Sequence, residues 1–306
     1  MRTDGPIGRL APTPSGALHL GNVVAFTAAW LSARAASGRV LLRIEDVDQG
    51  RARAEIAQGQ RDDLAWLGLT WDDEAPPQSA RDYAPWLAAL RDVYRCGCSR
   101  RDVALAGGVY PGTCRELARP GGAVRQRLAD GVHRFIDRVH GRVEVHAEQV
   151  GDPILQRRDG AFAYPLAVVV DDIVDGVTEV VRGADLLPAT ICQVALWRAF
   201  GMTPPTWAHT PIVLGADGRK LSKSHASLSI AAMRAAGWTP EQVLALALRL
   251  LGQPAADTLD GAARVFDVTA IPRWSWTLAL RGDHPTPDAI VVVPTSGVSD
   301  GSAAPR

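Results

Sequence analysis

Lysine is nearly missing from this 306-residue chain: it stands at Lys220 and Lys223 only, and every other one of the 33 basic residues is arginine. The 33 acidic residues cancel them, so the formal net charge is zero. That balance excludes a polybasic tail or a histone-like binder and leaves room only for a local basic face. Cysteine is scarce too, four residues in all, too few for a disulfide scaffold. No apolar run approaches bilayer length; Leu166 to Val170 is among the longest. The opening MRTDGPIGRL carries an acid and a proline where an export signal needs an apolar core. The expectation is a cytoplasmic protein without a membrane partner. With 47% apolar residues, the length suffices for one large or two ordinary domains around a buried core.

What is present alternates. Residues 8–12 read as a short strand entering the turn PTPSG, 20–36 as an alanine-rich helix stopped by Gly38, and 40–44 as a buried strand. Helices are expected at 53–67 and 81–94, and this rhythm argues for a parallel α/β sheet. Residues 95–120 break it with three cysteines and several glycines. Further on, 143–150 and 161–171 read as strands, 188–200 as a helix and 207–214 as the last strand before GADGRKLSKS. Thr239 and Pro240 open a helix running to 251. The expected division is 1–94 and 121–235 as two halves of one domain, with 95–120 inserted between them. A short helical region, 236–282, and a disordered tail, 283–306 and rich in Pro, Ser, Gly and Asp, complete it.

Three local patterns carry chemistry. Pro12 to Asn22 spans a strand-to-helix junction, where helix N-termini bind anions. Gly21 lets a ligand approach the backbone there and His19 offers a donor, at the strand end where open α/β sheets bind ligands. A plain polar cap with an incidental histidine is the competing reading. Lys220-Leu221-Ser222-Lys223-Ser224 gathers both lysines, and compact ammonium groups suit the charge on a leaving pyrophosphate. The alternative, a solvated loop, does not explain that concentration. Finally, Cys96, Cys98 and Cys114 with Tyr110 suggest a metal, since thiolates select Zn²⁺ and a phenolate can complete a tetrahedron. Free thiols remain the alternative. Four protein ligands would make the site structural. Cys192 reads as a buried thiol, Asp171-Asp172 receives no catalytic step, and His209 is a minor candidate for contact with the nucleotide site.

HLGN and KLSKS together resemble the two signatures of class I aminoacyl-tRNA synthetases, with Asn22 where the second histidine of HIGH would stand. GRLAPTPSG, RIEDVD, FAYPLAVVVDD and VVRGADLL resemble the glutamate-specific branch. The resemblance implies a Rossmann-type doubly wound parallel sheet, an inserted zinc-binding subdomain and a short C-terminal helical region. It implies ATP with Mg²⁺ and L-glutamate as substrates, with His19, Lys220 and Lys223 stabilising the phosphates as a carboxylate attacks. Pro12, His19, Gly21, Asn22, Lys220, Ser222 and Lys223 would surround ATP. Arg9, Leu10, Ala11, Pro12, Thr13, Glu45, Tyr164 and Arg182 would surround glutamate, the arginines on its carboxylates and Glu45 on its ammonium. Cys96, Cys98, Tyr110 and Cys114 would hold one Zn²⁺, a spacing shared with a truncated relative in that branch. Too little chain follows Ser224 for the branch's anticodon-reading region. The implied protein is thus a monomeric catalytic half that transfers glutamate to the queuosine base of tRNA(Asp). A truncated enzyme charging a tRNA acceptor end, and a non-catalytic RNA-binding paralogue, stay open as alternatives.

Overall fold

The computed structural model describes residues 5–221, 228–280 and 286–295. Strand β1 (Ile7–Leu10) runs through the PTPSG turn into α1 (Leu20–Ala35), then β2 (Arg39–Leu42), α2 (Ala54–Trp66) and β3 (Asp73–Glu74). The start of α1 is set by its own side chains. His19 Nδ1 accepts the Asn22 N–H at 3.3 Å, and Asn22 Oδ1 accepts the His19 N–H at 3.1 Å. Helix α3 (Ala84–Ala89), β4 (Val93–Cys96), α4 (Arg100–Leu105) and β5 (Ala123–Gln126) follow. Next come β6 (Val132–Asp137), β7 (Gly141–His146), α5 (Ala147–Val150), β8 (Ile154–Gln156) and α6 (Tyr164–Val174). The chain continues through β9 (Glu179–Gly183), α7 (Thr190–Ala199), β10 (Thr206–Thr210), β11 (Val213–Leu214) and α8 (Ile230–Ala235). It closes with α9 (Pro240–Leu250), α10 (Leu259–Val265), β12 (Trp276–Leu280) and β13 (Ile290–Pro294).

β1, β2 and β3 form a parallel sheet, and β9, β10 and β6 form another, with β7 antiparallel on its edge. The two sheets meet side by side. The Thr178 N–H reaches the Ile7 carbonyl at 3.0 Å, and Arg9 Nη1 reaches the Val181 carbonyl at 3.3 Å. Strand order therefore runs outward in both directions from β1 and β9. Between those strands lies the topological switch point, where sheets of this kind open a crevice at their carboxyl ends. One core packs α1 against the first sheet together with α9 and α10, and a second lies around α6 and α7. The cysteine-bearing stretch sits apart, on the antiparallel sheet β4–β5–β8. Among the described residues, no helix is long and apolar enough to cross a membrane.

Three expectations are corrected. The stretch 161–171 is not a strand: residues 164–174 are helix α6, entered through Pro165. Leu166 to Asp172 are all buried, so the helix shows no polar face, and its valines mimic an enclosed strand. The helix expected over 81–94 shrinks to α3, because the chain must re-extend to pair Val93–Cys96 with β5. Part of the stretch expected to be a disordered tail is ordered: β13 pairs antiparallel with β12, bringing Val292 opposite Leu278. Residues 296–306 lie outside the described residues.

Candidate active site

At the switch point opens a cleft of about 820 Å³. Its walls bring together Arg9, Ala11, Pro12, Thr13, His19, Gly21, Asn22, Glu45, Tyr164, Arg182 and Lys220, residues scattered along the sequence. The expected contact from Leu10 does not appear on this wall. Its side chain is fully buried in the core, and its carbonyl accepts the Arg43 N–H at 2.9 Å. That follows from strand alternation: Arg9 and Ala11 face the cleft, so Leu10 faces away. Gly21 lies under the His19 ring, where a Cβ would stand 3.2 Å from the imidazole. Lys220 lines the cleft and pairs with Asp185, which also lines it. Ser222 and Lys223 lie outside the described residues.

Beneath the cleft runs a charge network that the sequence reading left unassigned. Arg43 is 0% exposed, with Nη2 2.7 Å from Asp172 and 3.4 Å from Glu45, and Nη1 3.3 Å from Asp175. Arg9 Nε stands 3.5 Å from the same Asp172 oxygen. Asp171 accepts the Tyr83 hydroxyl at 3.0 Å and the Gln78 amide at 2.6 Å. Burial raises the pKa of Glu45, with Arg43 and Arg9 acting against it. Arg43 itself is pulled down by burial but held above its ordinary value by Asp172, Glu45 and Asp171. An arginine inside the apolar run VLLRI was the available signal, because arginine is almost never buried unpaired. Tyr164 is pushed up to about 12, by burial first and Glu45 next, so its hydroxyl stays a neutral donor.

Arg182 is held from behind. Its Nη2 donates to Thr190 Oγ1 at 2.8 Å and its Nε to His209 Nε2 at 3.2 Å, while buried Nη1 has no hydrogen-bond partner. His209 is not a nucleotide contact: it is fully buried on β10 and does not line the cleft.

Away from the cleft, the sulfurs of Cys96, Cys98 and Cys114 lie within 4.8 Å of one another. The Tyr110 hydroxyl accepts the Cys114 N–H at 2.8 Å and lies in hydrogen-bonding reach of the Cys96 and Cys114 thiols. Burial raises the Cys114 thiol, yet the Gly97 amide and the surrounding hydroxyl and thiols bring it down to about 7. Gly151, at φ +66°, lets the chain close over this cluster, since a Cβ there would sit 2.7 Å from the Tyr110 carbonyl. Three clustered thiols and one phenol form a donor set that could bind zinc. Cys192 lies elsewhere, a buried thiol pushed up to about 12 by desolvation.

Comparison with known proteins fits this geometry. The family described as tRNA synthetases class I (E and Q), catalytic domain, matches residues 7–98 and 121–267. The glutamyl-Q tRNA(Asp) synthetase of Nitratidesulfovibrio vulgaris is 48% identical over 266 residues, 75% of this chain and 81% of that protein. That of Pseudomonas entomophila is 45% identical over 280 residues, 88% and 92% of the two chains. A crystal structure of glutamate-tRNA synthetase from Elizabethkingia anophelis shares the fold, with a TM-score of 0.75 at 24% identity. The match covers 88% of this chain and 67% of that one. Enzymes of this class use ATP with Mg²⁺. With the HLGN turn, the glutamate-type segments and Lys220 meeting in one cleft and most of the chain matched, the protein belongs to the class I tRNA synthetases of the E and Q type, within the branch of its glutamyl-Q relatives, and is a ligase of that family.

Proposed function

We propose that this chain activates L-glutamate with ATP, giving glutamyl-AMP and pyrophosphate. It then passes the glutamyl group to the queuosine base at the wobble position of tRNA(Asp). The observation that carries the reading is the meeting of Arg9, Arg182 and Glu45 in one cleft with the HLGN turn. Two guanidiniums suit the two carboxylates of glutamate, one carboxylate suits its ammonium, and the Tyr164 hydroxyl adds a donor. So held, one carboxylate oxygen attacks the α-phosphorus of ATP, and the bond to the departing pyrophosphate breaks. His19, the amides opening α1, and Lys220 with Lys223 stabilise the charge, and Mg²⁺ accompanies the ATP phosphates. A hydroxyl of the queuosine ring next attacks the acyl carbonyl and AMP leaves. The names of the relatives, glutamyl-Q tRNA(Asp) synthetase, support that acceptor.

The test is transfer of labelled glutamate, with ATP, to tRNA(Asp) carrying queuosine, to tRNA(Asp) carrying guanosine instead, and to tRNA(Glu). Label is expected on the first alone. Label on tRNA(Glu) would make this an acceptor-end charging enzyme, and no label from folded protein would make it a non-catalytic binder.

The same reading includes one structural Zn²⁺ on Cys96, Cys98, Tyr110 and Cys114, with no part in the bond-making steps. Elemental analysis is expected to return one zinc per chain. Cys114→Ser is expected to weaken metal retention by more than about 100-fold. Loss of the metal should speed amide exchange in β4 and β5, which flank the cluster, and leave β1 and α1 protected.

A further inference from the structure

Three buried side chains on adjoining strands form a line that ends at the cleft. Asp137 closes β6, His209 lies on β10, and Arg182, its register partner, lies on β9. They are 1%, 0% and 7% exposed. Asp137 Oδ2 stands 2.6 Å from His209 Nδ1, and His209 Nε2 stands 3.2 Å from Arg182 Nε. The carboxylate cannot swing away, because its Oδ1 accepts the amides of Val139 and His140, each at 2.9 Å. The imidazole also neighbours two aromatic rings, Trp207 near-parallel at 13° and Phe135 tilted at 65°, each with its centroid 6.4 Å away.

The Arg182 contact fixes the ring hydrogens, since Thr190 Oγ1, 3.1 Å from the same Nε2, can give its own hydrogen to the Leu186 carbonyl at 2.9 Å. A guanidinium only donates, so His209 Nε2 must offer its lone pair, and the ring hydrogen must sit on Nδ1, pointing at Asp137. We propose that Asp137 and His209 are positioning residues for the amino-acid substrate: Asp137 fixes the His209 tautomer, and His209 holds Arg182 so that its partnerless Nη1 is the donor presented to a substrate carboxylate. This inference rests on glutamate being the amino acid activated. Thr190, on α7, completes the grip by accepting from Arg182 Nη2. A mobile arginine would meet the carboxylate equally well only after losing rotamer freedom on binding, and the relay removes that cost beforehand.

Charge supports the same picture. Burial pushes the His209 pKa down to about 4, with Arg182 and His140 adding to the fall and Asp137 opposing it. The ring is therefore neutral near neutral pH, as an acceptor for a guanidinium has to be. Asp137 is pushed up by burial, but the His209 hydrogen bond and the amides of His140 and Val139 outweigh this and hold it below the usual carboxylate range.

Asp137→Asn is the sharpest test. Its remaining oxygen can still accept the Val139 and His140 amides, while its new NH₂ donates to His209 Nδ1 and drives the ring hydrogen onto Nε2, against Arg182. In ATP–pyrophosphate exchange the glutamate KM is expected to rise about 10- to 100-fold, with the ATP KM unchanged. His209→Leu, which removes the acceptor, should behave alike, whereas His209→Gln, whose amide oxygen can replace Nε2, should recover most of the loss. Nitrogen-15 spectra of histidine-labelled protein give a readout independent of activity. His209 is expected as the Nδ1–H tautomer in the unaltered protein and as Nε2–H in Asp137→Asn. An unaltered protein with His209 cationic or carrying its hydrogen on Nε2 would overturn the relay, as would a glutamate KM unmoved by Asp137→Asn. If the unaltered protein shows no glutamate-dependent exchange, the substrate reading fails, and the tautomer still decides the relay.

Discussion

Arg182→Ala is expected to lower kcat/KM for glutamate in ATP–pyrophosphate exchange by about 100- to 1,000-fold, roughly 3–4 kcal/mol. The size follows from burial. Arg182 is 7% exposed, so a carboxylate paired with it has left water and has no solvent to replace the lost partner. Because Nε and Nη2 are already committed to His209 and Thr190, the loss falls on Nη1 alone, and a shorter cation cannot cover all three places. Arg182→Lys should thus recover less than about a tenth of the activity, in spite of keeping the charge. The ATP KM should stay fixed in both variants. A loss shared equally between the glutamate and ATP constants would show that Arg182 supports the cleft as a whole and does not anchor the amino acid.

What the sequence made legible and what it hid divide along one physical line. The HLGN turn, the cap of α1 and the Thr239 start of α9 are local: the residues that make each feature lie within a few positions of one another. Thr239 and Gln242 cap each other three residues apart, as His19 and Asn22 do, so spacing alone reveals them. The cleft residues Arg9, Glu45, Tyr164 and Arg182 were readable only because each sits in a motif resembling a known branch. The pair Asp137–His209 has no such local mark, and Arg43 has only its place inside the apolar run VLLRI. Arg43 meets Asp172 and Asp175 on and at the end of helix α6, and Asp137 meets His209 on a neighbouring strand, all far away in sequence, so the apolar run marks Arg43 as buried without naming the carboxylates that face it. Helix α6 reads as a strand for a related reason. Enclosure on all sides erases the polar face by which a helix announces its period. β13 carries no signal of its own, because a short valine-rich run becomes a strand only when β12 lies beside it.

Arg43→Met is expected to cost about 3–5 kcal/mol of stability, read as a lower urea midpoint. The methionine fills much of the space of the arginine stem, so the loss comes from charge: Asp172, Glu45 and Asp175 would remain packed together without their shared cation. Adding Asp172→Asn should restore part of the stability, because it removes one of the uncompensated charges. The same variant is expected to weaken glutamate binding through Glu45. Burial already raises that carboxyl, and Arg43 is the foremost cation opposing the rise, so removing it lifts the pKa further. Glu45 binds an ammonium only as the carboxylate. The glutamate KM of Arg43→Met should therefore fall as pH increases, more steeply than in the unaltered protein. Arg81→Met provides the control. Arg81 pairs with Asp171 and Asp175 at the far end of the network and does not touch Glu45. It should lower stability and leave the pH dependence of the glutamate KM unchanged. If both variants shifted that dependence together, the network would be acting as one electrostatic body. If neither did, Glu45 would not be the group that receives the substrate ammonium.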